Sequence, residues 1–390
     1  MPANNRVFWA CTAVFTAPHG DDGSFPYLLK GVQSVGITTT FNLEEVFELG
    51  QLGLYENIED VPDVEITIEK VLDGHSLIYE ACTFSGGSII NRSNDRADVF
   101  FMVGPDTGEA LNRAVEAPSP AVVYCSGMFV SSVSYTLPNE GNCTESVTLV
   151  GNDKRWYHNT ATASILPGAH AIADLAPTFV DGAAVGSNMD DFGDLGNEHR
   201  PGVGGTNPPV GVARRQDVNM QLSVIPRDVF GVETDAVGGQ IAGNNWDGKR
   251  DRPHAHIGSI GVSTDLGREE LNELGRRGPY HRYVSFPIEV TCDIECYTVS
   301  GDMVDARSEK ETLKNEVIYL FIDDGTILNL GTKNKLSSVS YTGGDTGGGN
   351  ATVTYSYSNF NSLIITSPGG AKGNAAGTAV LGADGTQIPA

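Results

Sequence analysis

SVGITTTFNLEEVFELGQLGLYENIEDVP, residues 34–62, returns without a gap as SIGVSTDLGREELNELGRRGPYHRYVSFP, residues 259–287. Eleven of the 29 positions are identical at a spacing of 225: Ser34, Gly36, Thr39, Glu44, Glu45, Glu48, Leu49, Gly50, Gly53, Tyr55 and Pro62 recur as Ser259, Gly261, Thr264, Glu269, Glu270, Glu273, Leu274, Gly275, Gly278, Tyr280 and Pro287. Val35, Ile37 and Val46 recur as Ile260, Val262 and Leu271. A match of this length is a duplicated segment, and a repeat of this kind governs how the rest of the chain is read.

Working outward, VEIT (64–67) aligns with IEVT (288–291) after a one-residue deletion. DVFFMVGPD (98–106) aligns with EVIYLFIDD (316–324), SSVSYT occurs at both 131–136 and 337–342, and Val147-Thr148 aligns with Val353-Thr354. The order is kept while the spacing falls from 225 to 206, so the second copy has shorter loops. This places a first domain at 1–157 and a second at 214–366. Between them, 158–213 is rich in Gly, Ala, Pro, Asn and Asp and reads as a linker or surface excursion. The Gly/Ala-rich 367–390 reads as a flexible tail. Two domains also suit 390 residues, since one hydrophobic core rarely grows past roughly 250–300.

The local pattern is mainly β. Short runs rich in Val, Ile, Thr and Tyr alternate with Gly-containing turns. NLEEVFELGQLG reads as a short amphipathic segment ended by Gly50, and DGHSLIYEACT as a helix started by Asp or Ser. Each copy is therefore a small β-sandwich or barrel with one helix and one long excursion. Period-two alternation sorts the faces. Val64, Ile66 and Ile68 oppose Glu65, Thr67 and Glu69; Ile288, Val290, Cys292 and Ile294 oppose Glu289, Thr291, Asp293 and Glu295. Val133 and Tyr135, and again Val339 and Tyr341, alternate with Ser and Thr, as do Val353, Tyr355 and Tyr357. The polar face of these strands carries no Lys or Arg, whereas ordinary solvated faces mix both signs.

Net charge is −24, which excludes a protein that grips phosphate with a basic surface and suits a surface that DNA must pass without sticking. Solubility alone accounts for such a charge equally well. The six cysteines (Cys11, Cys82, Cys125, Cys143, Cys292 and Cys296) contain no CxxC and read as free, buried or strand-borne thiols. The N-terminal MPANNRVFWACTAV lacks the charge and apolar core of a signal peptide, and no apolar run reaches the length of a membrane-spanning helix. Folding in a cytoplasm is expected.

The Glu-Leu-Gly of residues 48–50 and 273–275, the Pro62 and Pro287 leading into an alternating strand, and the closing Ser/Thr-Tyr strands resemble the phage tail tube protein family. The likeness covers about 150 residues in each copy. It implies a structural subunit whose sheets lie side by side as a β-barrel around a channel, with no catalytic residues, metal or cofactor. Glu65, Thr67, Glu69, Glu289, Thr291, Asp293 and Glu295 would face the lumen. Residues 41–60 and 266–285 would stack rings, through Glu44, Glu45, Glu48, Tyr55, Glu269, Glu270, Arg276, Arg277 and Tyr280. The implied partners are further copies of the chain, in trimers forming pseudo-hexameric rings, together with tape measure and tail terminator proteins. DNA would pass without specific binding, no membrane is involved, and the location is the tail of a virion assembled in the host cytoplasm. The second loop departs from the first: Arg268, Arg276, Arg277, His281 and Arg282 stand where the first has Leu43, Gln51, Leu52, Glu56 and Asn57. Either these loops pair between rings or domains, or the charges are simply solvated.

Catalytic signatures are absent. There is no P-loop, G-x-S-x-G, H-E-x-x-H or dinucleotide-binding glycine pattern. His254-Ala255-His256 has no evident third metal ligand, and Asp190, Asp191, Asp194 and Glu198 miss the EF-hand positions. Asp323-Asp324-Gly325 reads as a hairpin turn. Two other classes stay open: a baseplate or distal-tail ring or attachment module on the same fold, and a polysaccharide-active enzyme, which needs paired carboxylates in a cleft.

Overall fold

The computed structural model describes residues 9, 12–19, 27–83, 85–103, 121–158, 165–166, 170–171, 212–222, 257–275, 278–297, 304, 315–322, 325–344 and 349–367. Strands of the first half are β1 (Thr12–Pro18), β2 (Tyr27–Leu28), β3 (Val32–Thr40), β4 (Leu43–Phe47), β5 (Leu54–Glu59), β6 (Asp63–Val71), β7 (Arg96–Val103), β8 (Ala121–Pro138), β9 (Thr144–Gly151) and β10 (Asp153–His158). Two short helices, α1 (Ile78–Cys82) and α2 (Ile89–Arg92), lie between β6 and β7. A small pair, β11 (Ile165–Leu166) and β12 (His170–Ala171), follows. The second half holds β13 (Val218–Leu222), β14 (Ile257–Asp265), β15 (Arg268–Leu271), β16 (His281–Val284), β17 (Glu289–Tyr297), β18 (Ile318–Ile322), β19 (Ile327–Asn329), β20 (Lys335–Thr342), β21 (Thr352–Phe360) and β22 (Ile364–Thr366). The fold is mainly β, as expected, but the first half carries two short helices where one was expected.

The principal sheet runs β3-β6-β9-β8-β14-β17-β21-β20, antiparallel throughout. The quartet β3-β6-β9-β8 comes from the first half, and β14-β17-β21-β20 repeats its order from the second. The halves join where β8 pairs β14, Thr136 opposite Gly261 and Ser134 opposite Ser263. A register shift at Gln33 in β3 recurs at Gly258 in β14, and one at Ser131 in β8 recurs at Ser337 in β20.

A second layer repeats as well. The first part of β8 leaves the principal sheet to pair β7 and β10, with β1 beyond β7; β13-β18-β19-β22 has the same order in the second half. Strand β8 turns between layers at Gly127, whose φ of +61° a side chain would resist. Asp98, at a register shift in β7, fixes the turn by accepting from the Gly127 amide at 2.8 Å and the Tyr124 hydroxyl at 2.9 Å. One continuous apolar interior runs through both halves, from Ile66, Ile68, Val147 and Leu149 to Cys292, Ile294, Tyr355 and Ile318.

The structure corrects the alignment of two strands. Ladder register sets Val35 against Ile68 and the equivalent Ile260 against Ile294, so Val64 corresponds to Val290 and not to Ile288. Likewise Val147 opposes Val133 and Tyr355 opposes Val339, so Val147 corresponds to Tyr355 and not to Val353. Both errors are of two residues, the period of a strand, so every side chain stays on its expected face. The helix in DGHSLIYEACT exists as α1, but neither Asp73 nor Ser76 caps it. Its first amides, those of Ile78 and Tyr79, donate to the buried Glu145 carboxylate of β9 at 2.6 and 3.1 Å, while Asp73 holds the fully buried Lys70 ammonium at 2.6 Å. NLEEVFELGQLG is one arm and the turn of the β4–β5 hairpin, not a packed amphipathic segment. The Asp323-Asp324-Gly325 turn does join an antiparallel hairpin, β18–β19, with Gly325 at φ +92°; the two aspartates lie outside the described residues.

Candidate functional site: a polar sheet face and two hairpins

One face of the principal sheet packs on the core, and the other is covered among the described residues chiefly at the end where β15–β16 lies over Phe129. On β6, Val64, Ile66 and Ile68 are buried while Glu65 and Thr67 are exposed and Glu69 half-buried. On β17, Val290, Cys292 and Ile294 are buried, Glu289 and Asp293 exposed, and Thr291 and Glu295 half-buried. All seven residues assigned from sequence therefore lie on this one face. Most of their neighbours across the ladders are small and polar, Ser34, Thr38, Ser146 and Thr148 around β6 and Ser259, Ser263, Thr354, Ser356 and Ser358 around β17, with Val150 opposite Glu65 and Phe360 opposite Glu289 as the apolar exceptions. The Ser34 hydroxyl donates to Glu69 at 3.2 Å, and at the equivalent place Ser259 donates to Glu295 at 3.0 Å. The β8–β14 junction keeps the polar sides level, so Ser132, Ser134 and Thr136 continue into Asp265, Ser263 and Gly261. Asp63, Glu65, Glu69, Asp265, Glu289, Asp293 and Glu295 supply the charge, and among the described residues of these strands the one basic side chain on the face is Lys335, opposite Ser358 at an end of the edge strand β20. Such a surface repels phosphate and offers hydroxyls in place of cations.

Two hairpins leave the same end of the sheet. β4–β5 carries residues 43–59 and β15–β16 residues 268–284, in identical register: Leu43 pairs Glu59 as Arg268 pairs Val284, and Glu45 pairs Asn57 as Glu270 pairs Arg282. Both turns contain the Glu-Leu-Gly triplet, and Gly50 and Gly275 take φ +94° and +85°, which explains glycine there. Glu44, Glu45, Glu48 and Tyr55 on one, and Glu269, Glu270 and Tyr280 on the other, are exposed; Arg276 and Arg277 lie outside the described residues.

The hairpins differ in attachment. β15–β16 folds back over the junction onto the first half. The Arg268 Nε donates to the Val130 carbonyl at 2.8 Å with its guanidinium 5.0 Å from the centre of the Phe129 ring. Burial lowers the Arg268 pKa to about 10. Arg282 reaches Asp63 at 2.7 Å and Asn152 at 3.2 Å, and also pairs with Glu270. His281 sets its ring edge-on to Phe129 at 5.3 Å, and burial followed by the nearby Arg96 and Arg268 pushes its pKa down. Three of the departures, Arg268, His281 and Arg282, thus hold this hairpin inside its own chain. Sequence reasoning missed Phe129, Asp63 and Asn152 as their receptors; the signal was the substitution of Arg for Leu43 and Asn57 in an otherwise matched repeat. Among the described residues β4–β5 has no such seat, and Phe41, Leu43, Phe47, Leu54, Tyr55 and Ile58 stand exposed along it.

Among the described residues no three His, Cys, Asp or Glu side chains converge as a metal site, and no helix is long and apolar enough to cross a membrane. Cys82, Cys125, Cys143, Cys292 and Cys296 are free and buried; Cys11, His254, His256, Asp190, Asp191, Asp194 and Glu198 lie outside the described residues.

No protein-family model and no curated protein matches the chain. Among solved structures, a chain of the sixfold-symmetrised anti-feeding prophage baseplate is similar at 11% identity and TM-score 0.30, over 40% of this chain and 97% of its own. A chain of the anti-feeding prophage tube-terminating cap is similar at 12% identity and TM-score 0.29, over 41% and 95%. A chain of an extracellular contractile injection system sheath-tube complex in the extended state is similar at 14% identity and TM-score 0.28, over 40% and 93%.

Proposed function

We propose that the chain is a structural subunit of a phage-type tail tube, built from two copies of one tube domain at 1–157 and 214–366, with no catalytic role. The observation that carries this reading is the β8–β14 junction. Two strand quartets of the same order meet edge to edge, and their Ser-, Thr-, Asp- and Glu-bearing faces run on as one surface. A unit that adds its own like at one edge can be added again, and a closed ring of such units leaves no strand edge free. With two units per chain, three chains make a pseudo-hexameric ring. The acidic face then lines the channel, where it lets DNA slide past without binding. Rings stack into a tube through heterologous contacts, in company with tape measure and terminator proteins, and the tube belongs to a virion tail assembled in the host cytoplasm.

Replacing Glu65, Glu69, Glu289 and Asp293 together by Lys tests the channel. These side chains lie on the polar face, so tails of normal length are expected in the microscope, with DNA delivery reduced by about tenfold or more as phosphate is held in the channel. Normal delivery from normal tails refutes the lumen assignment, and a single discrete ring in place of a tube assigns the protein to a baseplate or distal-tail ring.

A further inference from the structure

The junction inside the chain has two unused counterparts at its ends. β3 is the first-half equivalent of β14, β20 is the second-half equivalent of β8, and each lies at a sheet edge with one side unpaired among the described strands. We infer that β20 of one chain pairs with β3 of a second copy in the register of the β8–β14 junction, and that the β4–β5 hairpin of the second copy clasps this seam. The inference rests on the tube reading and assigns its chain-to-chain contact residue by residue.

Transferring the junction by the two repeat spacings sets Gly36 opposite Thr342, Ile37 opposite Tyr341, Thr38 opposite Ser340, Thr39 opposite Val339 and Thr40 opposite Ser338. Exposure marks the same residues as lacking a cover. Tyr135, seated opposite Val262 within the chain, is 1% exposed, whereas its counterpart Tyr341 is 52% exposed. Leu266, whose amide donates to the Ser131 carbonyl at 2.8 Å, is 1% exposed, and its counterpart Phe41 is 70% exposed. Val35 and Ile37 are likewise less covered than Ile260 and Val262. Edges carrying apolar side chains and free backbone groups in this way are templates for a further strand.

The clasp changes chemistry between the two kinds of seam. Inside the chain, Arg268 and His281 sit on Phe129, and Arg282 sits between Asp63 and Asn152. At the seam between chains, Leu43 and Glu56 replace Arg268 and His281, and the Phe129 position is Lys335. Phe360, 57% exposed, replaces Asn152. Glu56 then meets Lys335, and the apolar hairpin meets Phe360. A cationic hairpin fits the aromatic, acidic first half, and an acidic, apolar hairpin fits the lysine-bearing second half. Each half thus prefers the other as its neighbour, which disfavours seams that join like halves.

Paired cysteines in the full chain test the register. The five described native cysteines are buried, so the unsubstituted protein serves as background. Thr38→Cys with Ser340→Cys is expected to give covalent dimers and trimers on oxidation, while Ser34→Cys with Ser338→Cys, six residues out of register, is expected to give none. Assembled rings that cross-link only in the second pair, or in neither, overturn the seam and leave the tube reading standing. A protein that stays monomeric at all concentrations overturns both. For the clasp, Lys335→Glu is expected to raise the concentration needed for assembly by about tenfold and Glu56→Lys in the same chain to restore it. Failure of the double substitution to rescue, with the Thr38–Ser340 cross-link intact, overturns the clasp alone.

Discussion

At the residue scale, alternation was legible. Glu65, Thr67 and Glu69 could be separated from Val64, Ile66 and Ile68 because a strand has period two and a half-buried sheet enforces it. Buried polar contacts were not legible. Nothing local to Glu145 marks it as the cap of α1, because the partners are brought together only by the ladder of β9 with β6 and β8. Glu80 is a similar case: buried, it accepts from Ser367, the first residue of the stretch read as a tail, and lies 3.9 Å from Arg92. Burial raises its pKa from 4.5 to about 7. An acid held this way binds its proton more tightly folded than unfolded. Its destabilising effect is absent below pH 4.5 and grows as the pH rises to about 7. Glu80→Gln should therefore gain on the unsubstituted protein by roughly 1–3 kcal/mol between pH 4.5 and pH 8, measured by denaturant unfolding at both. A difference that is flat or falls over that range contradicts the assignment.

At the element scale, the hairpins show what a repeat reveals and what it conceals. That the two segments share one conformation, each with its glycine turn, follows from the ungapped match of 34–62 with 259–287; that they are hairpins shows only in their ladders. Where they dock does not, because docking depends on which strand the junction places beneath them. The same limit explains the misplaced VEIT and Val147 matches: a two-residue slip keeps every face correct, so only ladder partners reveal it. If Arg282 is the main polar anchor of β15–β16, Arg282→Ala should cost about 1–2 kcal/mol, since Asp63 stays partly solvated. It should also speed amide exchange across 268–284 while leaving β14 and β17 protected. Unchanged exchange in the hairpin would show that Arg268 on Phe129 suffices.

At the scale of the whole molecule, the match of 34–62 with 259–287 was legible, because eleven identities in 29 residues outlast the divergence of the loops. The continuity of the two halves was not: no residue of 121–138 or 257–265 announces that these strands pair with each other. That junction turns two domains into one sheet with a single acidic face, and it gives the net charge of −24 a direction in space. Its most direct test is electron microscopy of the purified full chain, viewed end-on. Hollow rings or tubes with three chains and six sheet units around an open channel are expected, with the β6 and β17 faces inward. Compact monomers, or rings whose channel is lined by the opposite layer, would contradict the account.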